Sequence, residues 1–164
     1  MSAHHEPAAI RTARPSVPPA PGSLRRILVV DDDQEIRHLT TFVLLRSGYQ
    51  VDEAEDGAAA WEALQAGHYD LLITDHSMPK VTGVELVRQL RGARMGLPVI
   101  LATGTLPTAE INRDGELRLA ATLSKPFGPD QLLETVRKVL DAPGPLPHGS
   151  MTPKESVTGV LHPL

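Results

Sequence analysis

The sequence predicts a doubly wound α/β domain built on a five-stranded parallel sheet covered by helices on both faces. Three observations carry this. Short apolar runs of strand length alternate with segments of helical period, the pattern of consecutive βα units. Three of those runs are almost unbroken Val, Ile, Leu and Ala, as strands buried on both faces require. The 118 residues between two proline-rich ends suit one domain with one moderate core and exclude a two-domain enzyme.

The elements follow in order. The first strand is expected at Arg26–Val30. A helix follows Asp32 or Asp33, because Asp32-x-x-Glu35 has the form of a capping box, and Ile36, Leu39, Thr40, Val43 and Leu44 recur at helical spacing before Gly48 ends it. The second strand, Gln50–Ala54, alternates and belongs nearer an edge. A second helix over 58–66 turns Trp61 and Leu64 inward. After a third strand at Leu71–Asp75, a helix over 83–94 buries Val84, Val87 and Leu90, leaving Arg88, Arg91 and Arg94 as a solvated face. The fourth strand is expected at 98–103 and the fifth at Ala121–Ser124. Between them, residues 106–119 contain Pro107, Asn112 and Gly115 and a broken apolar pattern, so the fourth helix is expected to be irregular. The last helix starts at Pro129, a good first-turn residue, and buries Leu133, Val136 and Leu140.

Composition limits the function. With 41% hydrophobic but only 3% aromatic residues, aliphatic side chains must fill the core. The absence of cysteine excludes a disulfide framework, a thiol nucleophile and any Cys-ligated metal. Residues 24–141 carry 13 Lys and Arg against 18 Asp and Glu, a balance with no general reason to bind DNA. No apolar run exceeds four residues, far short of the roughly 18 to 20 that cross a bilayer, so no membrane association and a cytoplasmic location are expected. The ends, 1–23 and 142–164, hold ten of the fifteen prolines and read as a disordered Pro/Ala-rich arm and a disordered tail. The tail shows neither a helix-turn-helix pattern nor an enzyme motif, so direct contact with nucleic acid is not expected.

In a parallel sheet, groups at the carboxyl ends of neighbouring strands converge on one crevice. The first strand ends in Asp31-Asp32-Asp33, the third in Asp75, the fourth in Thr103 and the fifth in Ser124-Lys125-Pro126. Crowded carboxylates repel one another unless a cation neutralises them, and an all-oxygen donor set selects a hard divalent ion such as Mg²⁺. Lys125 adds an ammonium and Thr103 a hydroxyl, both suited to phosphoryl oxygens. None of the seven histidines shows metal-ligand spacing. His76 sits beside Asp75, either at the mouth of the site or as an exposed bystander.

Four segments, Ile27-Leu-Val-Val-Asp-Asp-Asp33, Asp70-Leu-Leu-Ile-Thr-Asp75-His-Ser-Met-Pro79, Thr103-Gly104 and Lys125-Pro126-Phe127, together resemble the receiver domain of two-component response regulators, over about residues 25–141. The resemblance implies a flavodoxin-like sheet of strand order 2-1-3-4-5, with Asp75 as phosphoacceptor. It implies Asp31 and Asp32 as the acidic pair for Mg²⁺, joined by Asp75 and the backbone carbonyl of Ser77. Thr103 and Lys125 correspond to the pair that contacts the acyl phosphate, and a cis peptide between Lys125 and Pro126 is expected. The implied donor is a histidine kinase or a histidine phosphotransfer protein. The chain departs from the family at Thr122, where receivers carry an aromatic that reports phosphorylation. A conformational change confined to residues 104–119 is therefore expected.

Two rivals stand beside this. One is a slow phosphatase of the aspartate-nucleophile type, which usually has a second Asp two residues after the first; here that place is Ser77, which leaves no obvious general acid. The other is a scaffold with a receiver fold and no phosphorylation. Oligomeric state, a homodimer included, stays open, as does the choice between a stand-alone chain and a piece of a hybrid kinase.

Overall fold

The computed structural model describes residues 24–105, 109, 115 and 117–142. Five parallel strands form one sheet: β1 (Arg26–Val30), β2 (Gln50–Ala54), β3 (Leu71–Asp75), β4 (Val99–Thr103) and β5 (Ala121–Ser124), in the order β2-β1-β3-β4-β5. Among the described residues four helices of two turns or more accompany them: α1 (Gln34–Arg46), α2 (Gly57–Ala66), α3 (Gly83–Gly92) and α4 (Pro129–Asp141). This is the expected class and strand order. Most of the irregular segment at 106–119 lies outside the described residues, as do the arm at 1–23 and the tail beyond Ala142.

Alternation along each strand feeds two separate cores. Ile27, Val29, Leu71, Ile73, Ile100 and Ala102 pack with Leu44 of α1 and Leu132 and Val136 of α4. Leu28, Val30, Leu72 and Leu101 point the other way, against Ala60 and Leu64 of α2 and Val84, Val87 and Leu90 of α3. Because strands β1, β3 and β4 are covered on both faces, they need no polar residue until their ends. The edge strands β2 and β5 are less covered than the central three, which explains their mixed sequences.

Helix boundaries come from local chemistry. Asp33, not Asp32, caps α1, its carboxylate accepting from the N–H groups of Glu35 and Ile36, so the Asp32 carboxylate is not used as a cap. The capping box occurs instead at α3, where Thr82 and Glu85 exchange hydrogen bonds. Gly48 turns the chain after α1 at φ +92, a conformation that glycine tolerates best. Pro129 opens α4 as expected, but the buried residues there are Leu132 and Val136, with Leu133 and Leu140 only half-buried. Trp61 is likewise half-buried beside the buried Leu64.

Two expectations need correction. Leu39 does not face the core: it is 62% exposed, together with Phe42 and Leu45. The apolar stripe of α1 is wider than the surface the sheet can cover, and Arg37, Thr40 and Leu44 take the inner face. Arg91 is not part of a solvated face, since its half-buried guanidinium donates to the carbonyls of Met95, Leu97, Leu117 and Arg118. Helical spacing alone could not show this, because Leu117 and Arg118 come near α3 only in the tertiary fold, and the carbonyls of Met95 and Leu97 only through the turn that follows the helix.

Candidate functional site

The carboxyl ends of β1, β3, β4 and β5 meet at one rim. The register sets Val30 beside Thr74 and Asp75 beside Ala102, so the residues just past β1 lie next to the end of β3. Asp31, Asp32 and Asp75 each offer a carboxylate oxygen within 4.8 Å of the others. Asp31 and Asp75 are buried and Asp32 is exposed.

Lys125 reaches in from the end of β5. Its Nζ donates to Asp31 Oδ2 at 2.9 Å and lies 3.1 Å from Asp75 Oδ1. The peptide between Lys125 and Pro126 is cis. Burial pushes the Asp75 carboxyl above its ordinary value; the hydrogen bond and charge of Lys125 pull it back, while Asp31 and Asp32 push it up again. Burial draws the Lys125 ammonium down, but its bonds to Asp31 and Asp75 outweigh this and raise it overall. Three carboxylates against one ammonium leave net negative charge in a confined space. An oxygen-only donor set with that excess charge fits a hard divalent cation.

Several features position these groups. Thr74 is fully buried and donates to the Asp75 carbonyl at 3.0 Å. Gly83 lets α3 pass close to the end of β3: a Cβ there would lie 2.3 Å from the Asp75 carbonyl oxygen. Arg37 was not anticipated. It is buried in α1, donates to the Asp31 carbonyl at 2.6 Å and lies 3.5 Å from Glu53, and so holds the acidic turn from below. The available signal was a basic residue among Ile36, Thr40 and Leu44, directly after three acids.

The remaining candidates sit around the rim. Thr103 is buried at the end of β4, and its hydroxyl donates to the Thr105 carbonyl at 2.6 Å rather than to Asp75. Ser77 is exposed in the turn after β3 and His76 is half-exposed beside it. Thr122 is exposed on the edge strand β5, in register with Leu101. Against the same rim, Ile36, Leu39 and Val43 of α1 face Pro126 and Phe127 across an apolar groove that also reaches Lys125.

Known proteins share this fold and much of this sequence. The response regulator receiver domain family matches residues 27–137. Response regulator receiver protein CpdR of Brucella abortus is 36% identical over 120 residues, which are 73% of this chain and 99% of that relative. Transcriptional regulatory protein CusR of Escherichia coli is 37% identical over 116 residues, and there the match spans only 51% of the relative's length. Among solved structures, the CheY-like receiver domain protein from Methanospirillum hungatei superposes with a TM-score of 0.69 at 30% identity, over 73% of this chain and 95% of that one. Response regulator protein TrrA of Thermotoga maritima, solved in complex with Mg²⁺ and BeF, gives 0.64 at 35% identity, over 71% of this chain and all of that one. No helix among the described residues is long and apolar enough to cross a membrane. Strand order and the extent of these matches agree, and the chain belongs to the family of response regulator receiver domains.

Proposed function

We propose that this receiver domain accepts a phosphoryl group from a phosphohistidine onto Asp75 in a Mg²⁺-dependent reaction, and so switches a protein-interaction surface in a cytoplasmic phosphorelay. The observation that carries the reading is the constellation of Asp75, Asp31, Asp32 and Lys125 within one small pocket at the strand ends. Asp31, Asp32 and Asp75, with the Ser77 carbonyl, are the residues that would hold Mg²⁺. When bound, the ion supplies the positive charge that crowded carboxylates and a phosphoryl group lack.

An oxygen of the Asp75 carboxylate attacks phosphorus; the O–P bond forms as the P–N bond of phosphohistidine breaks, and the electron pair returns to the imidazole nitrogen. The product is a mixed anhydride. Lys125 holds Asp75 in place beforehand and then offers its ammonium to the transferred oxygens, so that catalysis is positioning and electrostatics. The donor is a histidine kinase or a phosphotransfer protein, and the exposed apolar surface of Leu39 beside Phe127 suits its docking next to Lys125. Thr103 would exchange its bond with Thr105 for one with the phosphoryl group, drawing residues 104–119 with it. A tenfold shift between two such arrangements needs about 1.4 kcal/mol, within reach of one or two charge-assisted hydrogen bonds. Thr122 provides no aromatic ring to follow, so the response stays within that segment. The reading makes the chain a signalling module rather than an enzyme with a free substrate, and without direct contact to nucleic acid.

Intact mass after incubation with acetyl phosphate tests this. The expected result is the gain of one phosphoryl group that requires Mg²⁺ and is abolished by Asp75→Ala. A gain that survives Asp75→Ala moves the site elsewhere, and no gain under any condition makes the chain a scaffold. Hydrogen exchange with and without beryllofluoride tests the switch: equal protection of residues 104–119 in both states rules it out.

A further inference from the structure

At the amino ends of the strands, opposite the aspartate rim, lies a larger cleft of about 1320 Å³. Its floor is half-buried aliphatic surface from Met95, Leu97, Pro98, Val139 and Leu140. Among the described residues six cations line it, Arg25, Arg88, Arg91, Arg94, Arg118 and Lys138, against one acid, Asp70, and of these Arg88 is already engaged. The domain as a whole has more acids than bases, so composition does not explain the cluster. Asp70 neutralises little of it, because its Oδ2 accepts from the Arg26 N–H and its Oδ1 lies 3.5 Å from Arg25 and 3.9 Å from His68. Lys138 pairs with Glu134 along α4, an exposed contact that water and salt weaken.

The arginines have different tasks. Arg91 builds the wall, bonded to four carbonyls as described above. Arg94 and Arg118 are exposed and stand at φ 57 and 46, left-handed conformations in which a side chain is unfavourable. At Arg94 the turn is the one that ends many helices, with Arg94 N–H bonded to the Arg91 carbonyl and Met95 N–H to the Leu90 carbonyl. Glycine is the usual residue there. Of the three non-glycine residues with positive φ among the described residues, Lys80 lies elsewhere and the other two are arginines on one cleft, which argues that the guanidinium groups themselves are in use.

We propose that this cleft docks an acidic segment of a partner protein in which aliphatic side chains alternate with carboxylates. The arginines bond the carboxylates and the floor takes the aliphatic groups. The volume exceeds the roughly 300 to 1,000 Å³ of small-molecule pockets and suits an extended peptide. Among the described residues no aromatic side chain lines the cleft, so it lacks the stacking platform that single-stranded nucleic acid uses. The chain's own ends match it poorly, since 1–23 and 143–164 together carry two acids, Glu6 and Glu155, against Arg11, Arg14 and Lys154. The proposal does not depend on phosphorylation of Asp75.

Fluorescence anisotropy with the full chain tests it, using a labelled peptide of repeating Glu-Leu-Asp-Leu, its Gln-Leu-Asn-Leu counterpart and oligothymidylate. The acidic peptide is expected to bind at least about tenfold more tightly than either. Its affinity should fall as salt shortens the Debye length from about 10 Å at 0.1 M to about 3 Å at 1 M. Arg94→Gly combined with Arg118→Gly should weaken binding about tenfold while the melting midpoint holds or rises, an outcome that a merely structural role for these side chains does not give. The exposed substitutions Arg25→Gln and Lys138→Gln should weaken it by smaller factors. Equal binding of the neutral peptide, preference for oligothymidylate, or a double variant that binds like the parent overturns the proposal. So does absent peptide binding accompanied by an intrachain carbodiimide cross-link between Glu155 and Lys138, which would assign the cleft to the chain's own tail.

Discussion

The two ends of the same five strands solve opposite electrostatic problems. At the carboxyl ends the charges other than Asp32 are largely buried: the Asp31, Asp75 and Lys125 side chains are 7%, 7% and 19% exposed, and each is held by another. At the amino ends, Arg25 and Lys138 are 55% and 74% exposed and border a cleft that, among the described residues, has a single acid. Burial makes charge expensive unless it is paired, so the first end is tuned, with shifted ionisation and little tolerance for change. Exposure makes charge cheap, and the second end keeps Arg25, Arg94, Arg118 and Lys138 exposed and sensitive to salt. If that contrast holds, substitutions at the carboxyl end should act through structure and chemistry together, while those on the amino-end rim should act on binding alone.

The largest effect should come from Gly83→Ala. The new methyl carbon would meet the Asp75 carbonyl oxygen at 2.3 Å and Leu101 Cδ1 at 2.9 Å, so the backbone that carries Asp75 must shift. We expect a loss of about 3 kcal/mol, the upper part of the usual overpacking range, from urea unfolding. The same displacement should slow phosphoryl incorporation by about tenfold to a hundredfold. Peptide binding at the opposite cleft should be unchanged in the molecules that remain folded. Equal stability and an equal rate would show that the approach of α3 to β3 is slack, which would remove the contrast in tolerance.

Arg91→Met should rank next and marks where the contrast is imperfect, because Arg91 belongs to the basic end but is half-buried. Burial, with the charge of Arg118 adding to it, lowers its ionisation. The four carbonyl acceptors outweigh that cost, and their loss should remove about 2 kcal/mol of stability, measured by the same unfolding curve. A loss as small as that of an ordinary surface arginine would restore the solvated-face reading.

The fold and the candidate site were legible for one reason: in this doubly wound sheet the strands other than β2 are short runs with little charge, and the carboxyl ends of β1, β3 and β5 are marked by the next charged residue. Asp31, Asp75 and Lys125 are all such residues, and their convergence follows from topology alone. Strand β4 begins one residue later than its apolar run suggested, at Val99. What stayed hidden depends on packing between segments. Leu39 reads as core because periodicity gives a stripe but not the width of the surface that covers it. Arg37 and Arg91 read as ordinary helix arginines because their acceptors are backbone carbonyls, those of Asp31, Met95 and Leu97 in turns that flank the helices and those of Leu117 and Arg118 in a segment that only the tertiary structure brings near. The basic cleft is harder still, being assembled from arginines and one lysine scattered between Arg25 and Lys138 with no common spacing.

The smallest of the three effects is also the most direct test of the tuned end. Asp75 ionises above its ordinary value in the folded chain, first through burial and then through Asp31 and Asp32, with Lys125 only partly offsetting them. A carboxyl raised in this way contributes stability that is fully present below its unfolded value, about 3.9, and is lost as pH rises through the folded value. Asp75→Asn cannot suffer that loss, and Asp31 still holds the Lys125 ammonium at 2.9 Å. Without divalent cations the variant should therefore be more stable than the parent at pH 7, by about 1 kcal/mol, as is common when strain at a functional site is relieved. Its advantage should grow from acid pH upward and level off once Asp75 of the parent is fully ionised. Added Mg²⁺ should narrow it, since the parent has one more carboxylate to offer the ion. An advantage that is flat with pH would mean that the variant gains through packing alone. A parent more stable than the variant at neutral pH would mean that Lys125 fully compensates the buried charge, and that the carboxyl end is no more strained than the amino end.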